Sequence, residues 1–583
     1  MHSQHFCGLM ALSSLPGNQP SHSPKGPTLE VHPDFHRGFG VRLVAALLAV
    51  AIAAPVSLFA ANSSNDNNDP DLAVMTEIRQ EGFHHSKVME TESQLTDWIG
   101  PRLTGSPNLK KANEWTRDQL AEWGLSNAHL ESWGPFGRGW SNDYTEVRMV
   151  TPTASPLIAY PKAWTPGTNG VLRAPVVKAK LAREEDFEKY KGQLAGKIVL
   201  IGEMREVKPE SEAALERYDQ KKLAEIEQYQ IPSEKPRFNR EEIAKRIEFQ
   251  KALNQFLVDE QVAAVIDPSR AGDGGTVFVQ SGGSYKPDEP TGVPSLVMAI
   301  EHYGRISRLL DRSIPVELEI DVRNQFYDTD PNAYNTIAEI PGTDKKDEIV
   351  MLGAHMDSWH SGTGATDNAA GVAITMEAMR ILKALNLKPR RTIRIGLWTG
   401  EEEGLLGSRA YAAQHFGSRP DPTDPKEKAL PAYLRKDEGP LTLKPEQSKV
   451  SAYFNIDNGT GKIRGIYLQE NEAVRPIFHA WMQPFDDLGM NTLSMRNTGG
   501  TDHLSFDAVG IPGFQFIQDP VEYDSRTHHS NMDVYERIQR EDMMQAAVIM
   551  AAFVYDAAMR DTMLPRKPLP KPTDAPKNPA AKP

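Results

Sequence analysis

Four apolar runs in the second half of the chain each end at a residue able to bind a metal or move a proton. The runs are 349–352, 392–398, 450–456 and 513–517. They are short and bounded by polar residues, and stretches with helical apolar spacing lie between and after them at 370–385, 475–488 and 541–559. Strands alternating with helices predict an α/β fold whose mixed, mostly parallel sheet is sandwiched by helices. In such sheets the ligand site lies beyond the carboxyl ends of the strands. His355 and Asp357 follow the first run, with Asp367 a little further on. Glu401, Glu402 and Glu403 follow the second, Asp457 the third, and His528, His529 and Asp533 the fourth. An imidazole or carboxylate at every strand end is the pattern of one composite site.

The chemistry of that site is narrowed by what the chain lacks. Its single cysteine, Cys7, lies ahead of an apolar segment at 41–61, so disulfides and thiolate metal sites are excluded from the rest. A metal must then be held by His, Asp and Glu. Zinc accepts imidazole nitrogen and carboxylate oxygen, and a catalytic zinc keeps one position open. A pair of zinc ions needs a bridging carboxylate and about two further protein ligands each, which two His, two Asp and one Glu supply. Gly362, Gly364 and Gly371 are not followed by the Gly-Lys of a phosphate loop. Lys+Arg number 65 against 78 Asp+Glu, a formal net charge of −13, which argues against a nucleic-acid partner.

The motifs GAHMDS (353–358), TDNAAG (366–371), WTGEEEGLLGS (398–408), NIDNG (455–459), GGTDH (499–503) and HHSNMD (528–533) occur in this order. They resemble those of the co-catalytic di-zinc exopeptidases, the family that includes secreted bacterial aminopeptidases and carboxypeptidase Q. GPRLTGSPNL (100–109) also resembles the N-terminal part of carboxypeptidase Q. The resemblance covers roughly 81–559. It implies that His355 and Asp457 hold one Zn2+, that Glu402 and His529 hold the other, and that Asp367 bridges the two. Glu401 would be the general base, while Glu403 falls where the family varies. Asp357 would orient His355 from behind, and Asp533 would support the ligands in the same way. His528 stands where several relatives carry a Tyr that steadies the oxyanion. Asp502, His503 and Arg496 would position substrate, Arg496 as a carboxylate partner. The function implied is hydrolysis of short peptides or dipeptides by metal-activated water, as in carboxypeptidase Q. The alternative is an aminopeptidase. A non-catalytic receptor of the same fold, or a one-zinc glutaminyl cyclase, is disfavoured by the complete ligand set.

Ahead of this region, 151–324 holds short β-like runs at 175–177, 197–201, 263–266 and 294–298. This block resembles the small β-rich protease-associated domain inserted in the family, which implies a lid or substrate-selecting role. Within it, 203–260 is highly charged with helical spacing and reads as a solvated helical hairpin. Helices are expected at 81–98 and 108–123. The expected organisation is a leader and spacer at 1–70, a peptidase domain at 71–150 and 325–562, the inserted domain at 151–324, and a disordered Pro/Lys-rich tail at 563–583. The segment 41–61 follows His36 and Arg37, carries no charge after Arg42, and reads as an export signal or, if uncleaved, a single N-terminal membrane anchor. A periplasmic or secreted enzyme, with a homodimer as a further partner expectation, completes the reading.

Overall fold

The computed structural model describes residues 68–209, 211, 213–231, 240–430, 435 and 439–571. The expected export segment and residues 572–583 of the tail lie outside them. Two eight-stranded sheets dominate the described residues. The first has the order Ser126–Pro135, Asn332–Ile340, Arg391–Trp398, Lys345–His355, Val450–Asn455, Gly513–Gln518, Ile463–Tyr467, Thr492–Ser494. Its four central strands, from Arg391–Trp398 to Gly513–Gln518, run parallel, so their carboxyl ends lie along one edge. Antiparallel pairings join Asn332–Ile340, Ser126–Pro135 and Ile463–Tyr467 to them, and Thr492–Ser494 pairs parallel at the end.

These central strands read as near-continuous apolar runs because both faces are covered. Side chains alternate between faces along a strand. Val350 and Leu352 enter the core shared with helices Ala370–Ala384 and Arg540–Met559, while Ile349 and Met351 pack with Trp398, Tyr453 and Phe506 on the other side. Helix Arg540–Met559 is long and apolar enough to cross a membrane, but 89% of its most apolar window is buried in this core. Pro107–Glu122 starts one residue ahead of expectation, with Ser106 accepting the Leu109 N–H at 3.2 Å. The expected helix at 81–98 is instead Leu72–His84, Val88–Ser93 and a wider turn, Gln94–Ile99. Asp71 caps the first of these, and Glu377 takes the Lys87 N–H where the chain breaks.

The second sheet has the order Ser155–Pro156, Gly139–Thr151, Glu317–Tyr327, Leu172–Lys178, Ile198–Leu200, Ala264–Pro268, Ser295–Met298, Ala159–Pro161. Its long antiparallel pair, Gly139–Thr151 with Glu317–Tyr327, begins before residue 151 and ends after residue 324. The charged stretch is not a solvated hairpin. Its first part crosses to the first sheet, where Leu223 and Ile226 are buried and the Ser494 hydroxyl donates to the Ile226 carbonyl at 2.6 Å. Glu216 and Val521 exchange backbone hydrogen bonds, and Arg217 pairs with Asp519 at 3.1 Å and Asp542 at 2.7 Å. Helix Arg240–Asp259 packs Leu253 and Leu257 on the second sheet's core, with Phe256 stacked on Phe187. The two apolar stripes thus bury against different partners. The start of the tail is also docked: Leu564 is buried, the Arg566 guanidinium donates to the Gln447 carbonyl, and Lys567 pairs with Asp507.

Beside the central strand Arg391–Trp398, His415 lies between Glu131 (2.7 Å) and Glu446 (3.1 Å), which Arg394 also contacts. Hydrogen bonds donated to these carboxylates raise the imidazole to about 9, and His415 with Arg394 lowers Glu446 to about 2. The imidazole's contribution to stability is therefore complete below the ordinary histidine value of about 6.5 and is lost as pH rises through about 9. The melting-temperature deficit of His415→Gln should accordingly be largest near pH 6 and shrink above about pH 9. A deficit in thermal unfolding that stays constant across that range would contradict the charged pairing.

Candidate metal centre

The parallel strands deliver the expected residues to one edge. His355 closes its strand, and Asp457 follows Val450–Asn455 by two residues. Glu401 and Glu402 follow Arg391–Trp398 after the turn at Gly400, and the loop beyond Gly513–Gln518 leads to His528 and His529. Asp367 sits on the turn Ala365–Ala369, before helix Ala370–Ala384. His355 Nε2 lies 3.3 Å from Asp367 Oδ1 and 3.4 Å from Asp457 Oδ1. His529 Nε2 lies 3.2 Å from Asp367 Oδ2 and 3.0 Å from Glu402 Oε2. One carboxylate therefore presents one oxygen to each of two donor groups.

These spacings test whether zinc fits. Donors set tetrahedrally at the usual zinc distances of about 2.0–2.2 Å stand roughly 3.3–3.5 Å apart, close to the separations seen. The electrostatics agree. Burial lowers both imidazoles, but Asp457 and Glu401 hold His355 well above its ordinary value, while Glu402 and Asp367 bring His529 to about 10. Burial raises Glu402 to about 7 against the pull of His529, and burial, with Asp457 and Asp502 adding to it, also holds Glu401 above its ordinary value. Such a pocket is short of positive charge.

The surrounding groups fix the donors. The Asp357 backbone carbonyl lies 3.1 Å from His355 Nδ1, and its Oδ2 accepts from the Thr104 hydroxyl and the Glu402 N–H. Asp533 accepts from the Thr366 N–H (2.6 Å), the Thr366 hydroxyl (2.8 Å) and the Asp367 N–H (3.2 Å), which fixes the turn. The His528 ring lies against Tyr523 and His529, with Nε2 3.7 Å from Asp367 Oδ2. Its side chain is 37% exposed against 14% for His529, so it is the more open of the two. Asp502 is buried, and its charge is felt by Glu401. His503 lies 3.1 Å from the Thr498 carbonyl through Nε2. Arg496 is engaged elsewhere: its guanidinium donates to the Glu225 and Gln228 carbonyls at the end of helix Gln220–Glu227.

Several supporting residues were not singled out from the sequence. The Trp359 indole donates to Glu402 Oε2 at 2.7 Å; its place directly after GAHMDS was the one available signal. Arg102, inside the GPRLTGSPNL motif, is wholly buried and donates to the carbonyls of Met356, Leu95, Gly100, Thr363 and Gly364. It thereby ties together the loop between His355 and Asp367. Gly364 in that loop has φ +63°, and a Cβ there would stand 2.3 Å from Ser358 Cβ, so only glycine fits. Gln280, from the second sheet's portion of the chain, lies 3.0 Å from His529 Nδ1.

Residues 335–554 match the family model described as Peptidase family M28. Carboxypeptidase Q of Mus musculus is 26% identical over 489 residues, 83% of this chain and 88% of that protein. Aminopeptidase YwaD of Bacillus subtilis is 29% identical over 227 residues, 38% of this chain and 44% of that protein. The crystal structure of a peptidase M28 precursor from Shewanella amazonensis matches with a TM-score of 0.59 at 25% identity, covering 86% of this chain and 98% of that one.

Replacing Arg102 by Met would strand five carbonyls and the buried acids around them, Glu92 among them. The expected loss is about 3–5 kcal/mol of unfolding free energy, read from urea denaturation. A loss below about 1 kcal/mol would mean that Arg102 does not hold the loop.

Proposed function

We propose, from the match of residues 335–554 to the model of peptidase family M28, that this chain is a zinc-dependent exopeptidase of short peptides or dipeptides, like carboxypeptidase Q. The observation that carries the reading is Asp367, whose two carboxylate oxygens face His355 and His529 separately. His355 and Asp457 would hold one Zn2+, Glu402 and His529 the other, and Asp367 both. Bound zinc supplies an acidified water and a polarised substrate carbonyl.

The chain's own groups would do the rest. Glu401 accepts the proton of the attacking water and passes it to the leaving amine, a role suited to a carboxyl that burial holds above its ordinary range. His528, more exposed than His529, would direct an N–H at the developing oxyanion. Asp502 and His503 would shape the substrate side. The second sheet, read as a protease-associated domain, would limit access. Export, with or without retention of the 41–61 segment as an anchor, is the reading its apolar run supports.

A specific observation favours the aminopeptidase alternative. Arg496, the expected carboxylate partner, is bound to a helix end, while the acids Glu401 and Asp502 lie near His355. Dipeptides blocked at one terminus or the other separate the two directions. Carboxypeptidase-like action requires hydrolysis of the N-blocked substrate and not of the C-amidated one.

Glu401→Gln should keep about two zinc ions per chain and lower kcat by about 100- to 10,000-fold. Unchanged turnover would remove Glu401 from the base role. Exhaustive chelation should abolish activity, and readdition of zinc should restore it; activity that survives removal of all metal would end the zinc reading.

A further inference from the structure

We propose that Gln280 is a positioning residue for His529, so that the second sheet's portion of the chain completes the zinc site. This rests on the di-zinc reading above. The two imidazoles are oriented from different sources. His355 has its Nδ1 facing the carbonyl of Asp357, two residues along the same loop. His529 has its Nδ1 3.0 Å from the amide nitrogen Nε2 of Gln280, 249 residues away in the chain.

The contact belongs to a seam between the two parts of the molecule. The Val279 N–H donates to the His529 carbonyl at 3.1 Å. The Val277 N–H donates to Asn531 Oδ1 at 2.7 Å, and the Asn531 N–H returns to the Val277 carbonyl at 3.1 Å. Phe278 and Ser530 form an antiparallel bridge. His529 itself has φ +66°, a left-handed conformation uncommon outside glycine, which a surrounding structure must hold in place. This seam supplies that hold.

The chemistry of the amide matters. An imidazole that gives Nε2 to a cation carries its remaining proton on Nδ1, and the group facing Nδ1 must then accept a hydrogen bond. A half-turn of the Gln280 amide exchanges the nitrogen now at Nδ1 for its oxygen, and that acceptor orients the ring and raises the basicity of Nε2. A glutamate there offers only acceptors; a methionine of similar size offers none of comparable strength.

Zinc affinity of the full chain and of the Gln280→Met and Gln280→Glu variants, measured by competition with a chromogenic zinc chelator, tests this. Gln280→Met should weaken one of the two zinc ions by about 10- to 100-fold and leave the other unchanged. It should lower kcat with KM nearly constant. Gln280→Glu should stay within a few-fold of the parent affinity. The proposal is overturned if Gln280→Met holds both ions as tightly as the parent. It is equally overturned if both variants lose affinity alike alongside a common fall in melting temperature, the signature of packing alone. A parent chain that binds fewer than two zinc ions would instead sink the di-zinc reading, and that outcome is visible before any variant is made.

Discussion

The sharing of one carboxylate between two imidazoles is the constraint on which the site depends. Asp367 must present its oxygens in opposite directions at hydrogen-bonding range, and a free aspartate on a turn would not hold that pose. Asp533 grips the backbone on the N-terminal side of Asp367, and Arg102 grips the loop that leads into it. Asp533 and Arg102 thus keep that single side chain in register, while Asp357, Trp359 and Gln280 brace the other donors. The accumulation of acids around His355 and His529 is costly in a buried place unless positive charge joins them. The same feature that burdens the apoprotein therefore favours the dication.

How much of this was legible in the sequence follows from which interactions are local. The central strands are buried on both faces and so appear as unbroken apolar runs, and their parallel order sets His355, Glu402, Asp457 and His529 along one edge. Strands Gly139–Thr151 and Glu317–Tyr327 were missed although Val147 and Met149, and Leu318, Ile320 and Val322, alternate with polar residues; charges between them, such as Glu146, Arg148, Glu319 and Arg323, interrupt the unbroken apolar runs by which the other strands were found. The apolar stripe of 220–227 was visible, but a stripe does not say what it will meet, and here it meets strand Thr492–Ser494. The contacts of Arg102 with the 356–364 loop, and those of Trp359 and Gln280, are tertiary, made across 43 to 262 positions, and no local pattern encodes them.

The fate of Arg496 shows how a segment outside the catalytic sheet shapes the substrate side. A guanidinium just before the GGTDH loop is well placed in sequence to meet a peptide carboxylate. In the fold, the free carbonyls at the end of helix Gln220–Glu227 claim it. The crossing segment 214–228 thus removes one cation from the cleft's reach while bracing the loop that carries His528 and His529 through Glu216 and Arg217.

The pairing of Ser126–Pro135 with Asn332–Ile340 carries a consequence for biogenesis. These neighbouring strands of the first sheet are separated by the whole of the second sheet, nearly 200 residues of intervening polypeptide. A ribosome adding about 5–20 residues per second needs on the order of ten seconds or more to produce the missing neighbour. During that interval the nascent Ser126–Pro135 segment lacks the strand it pairs with in the finished sheet.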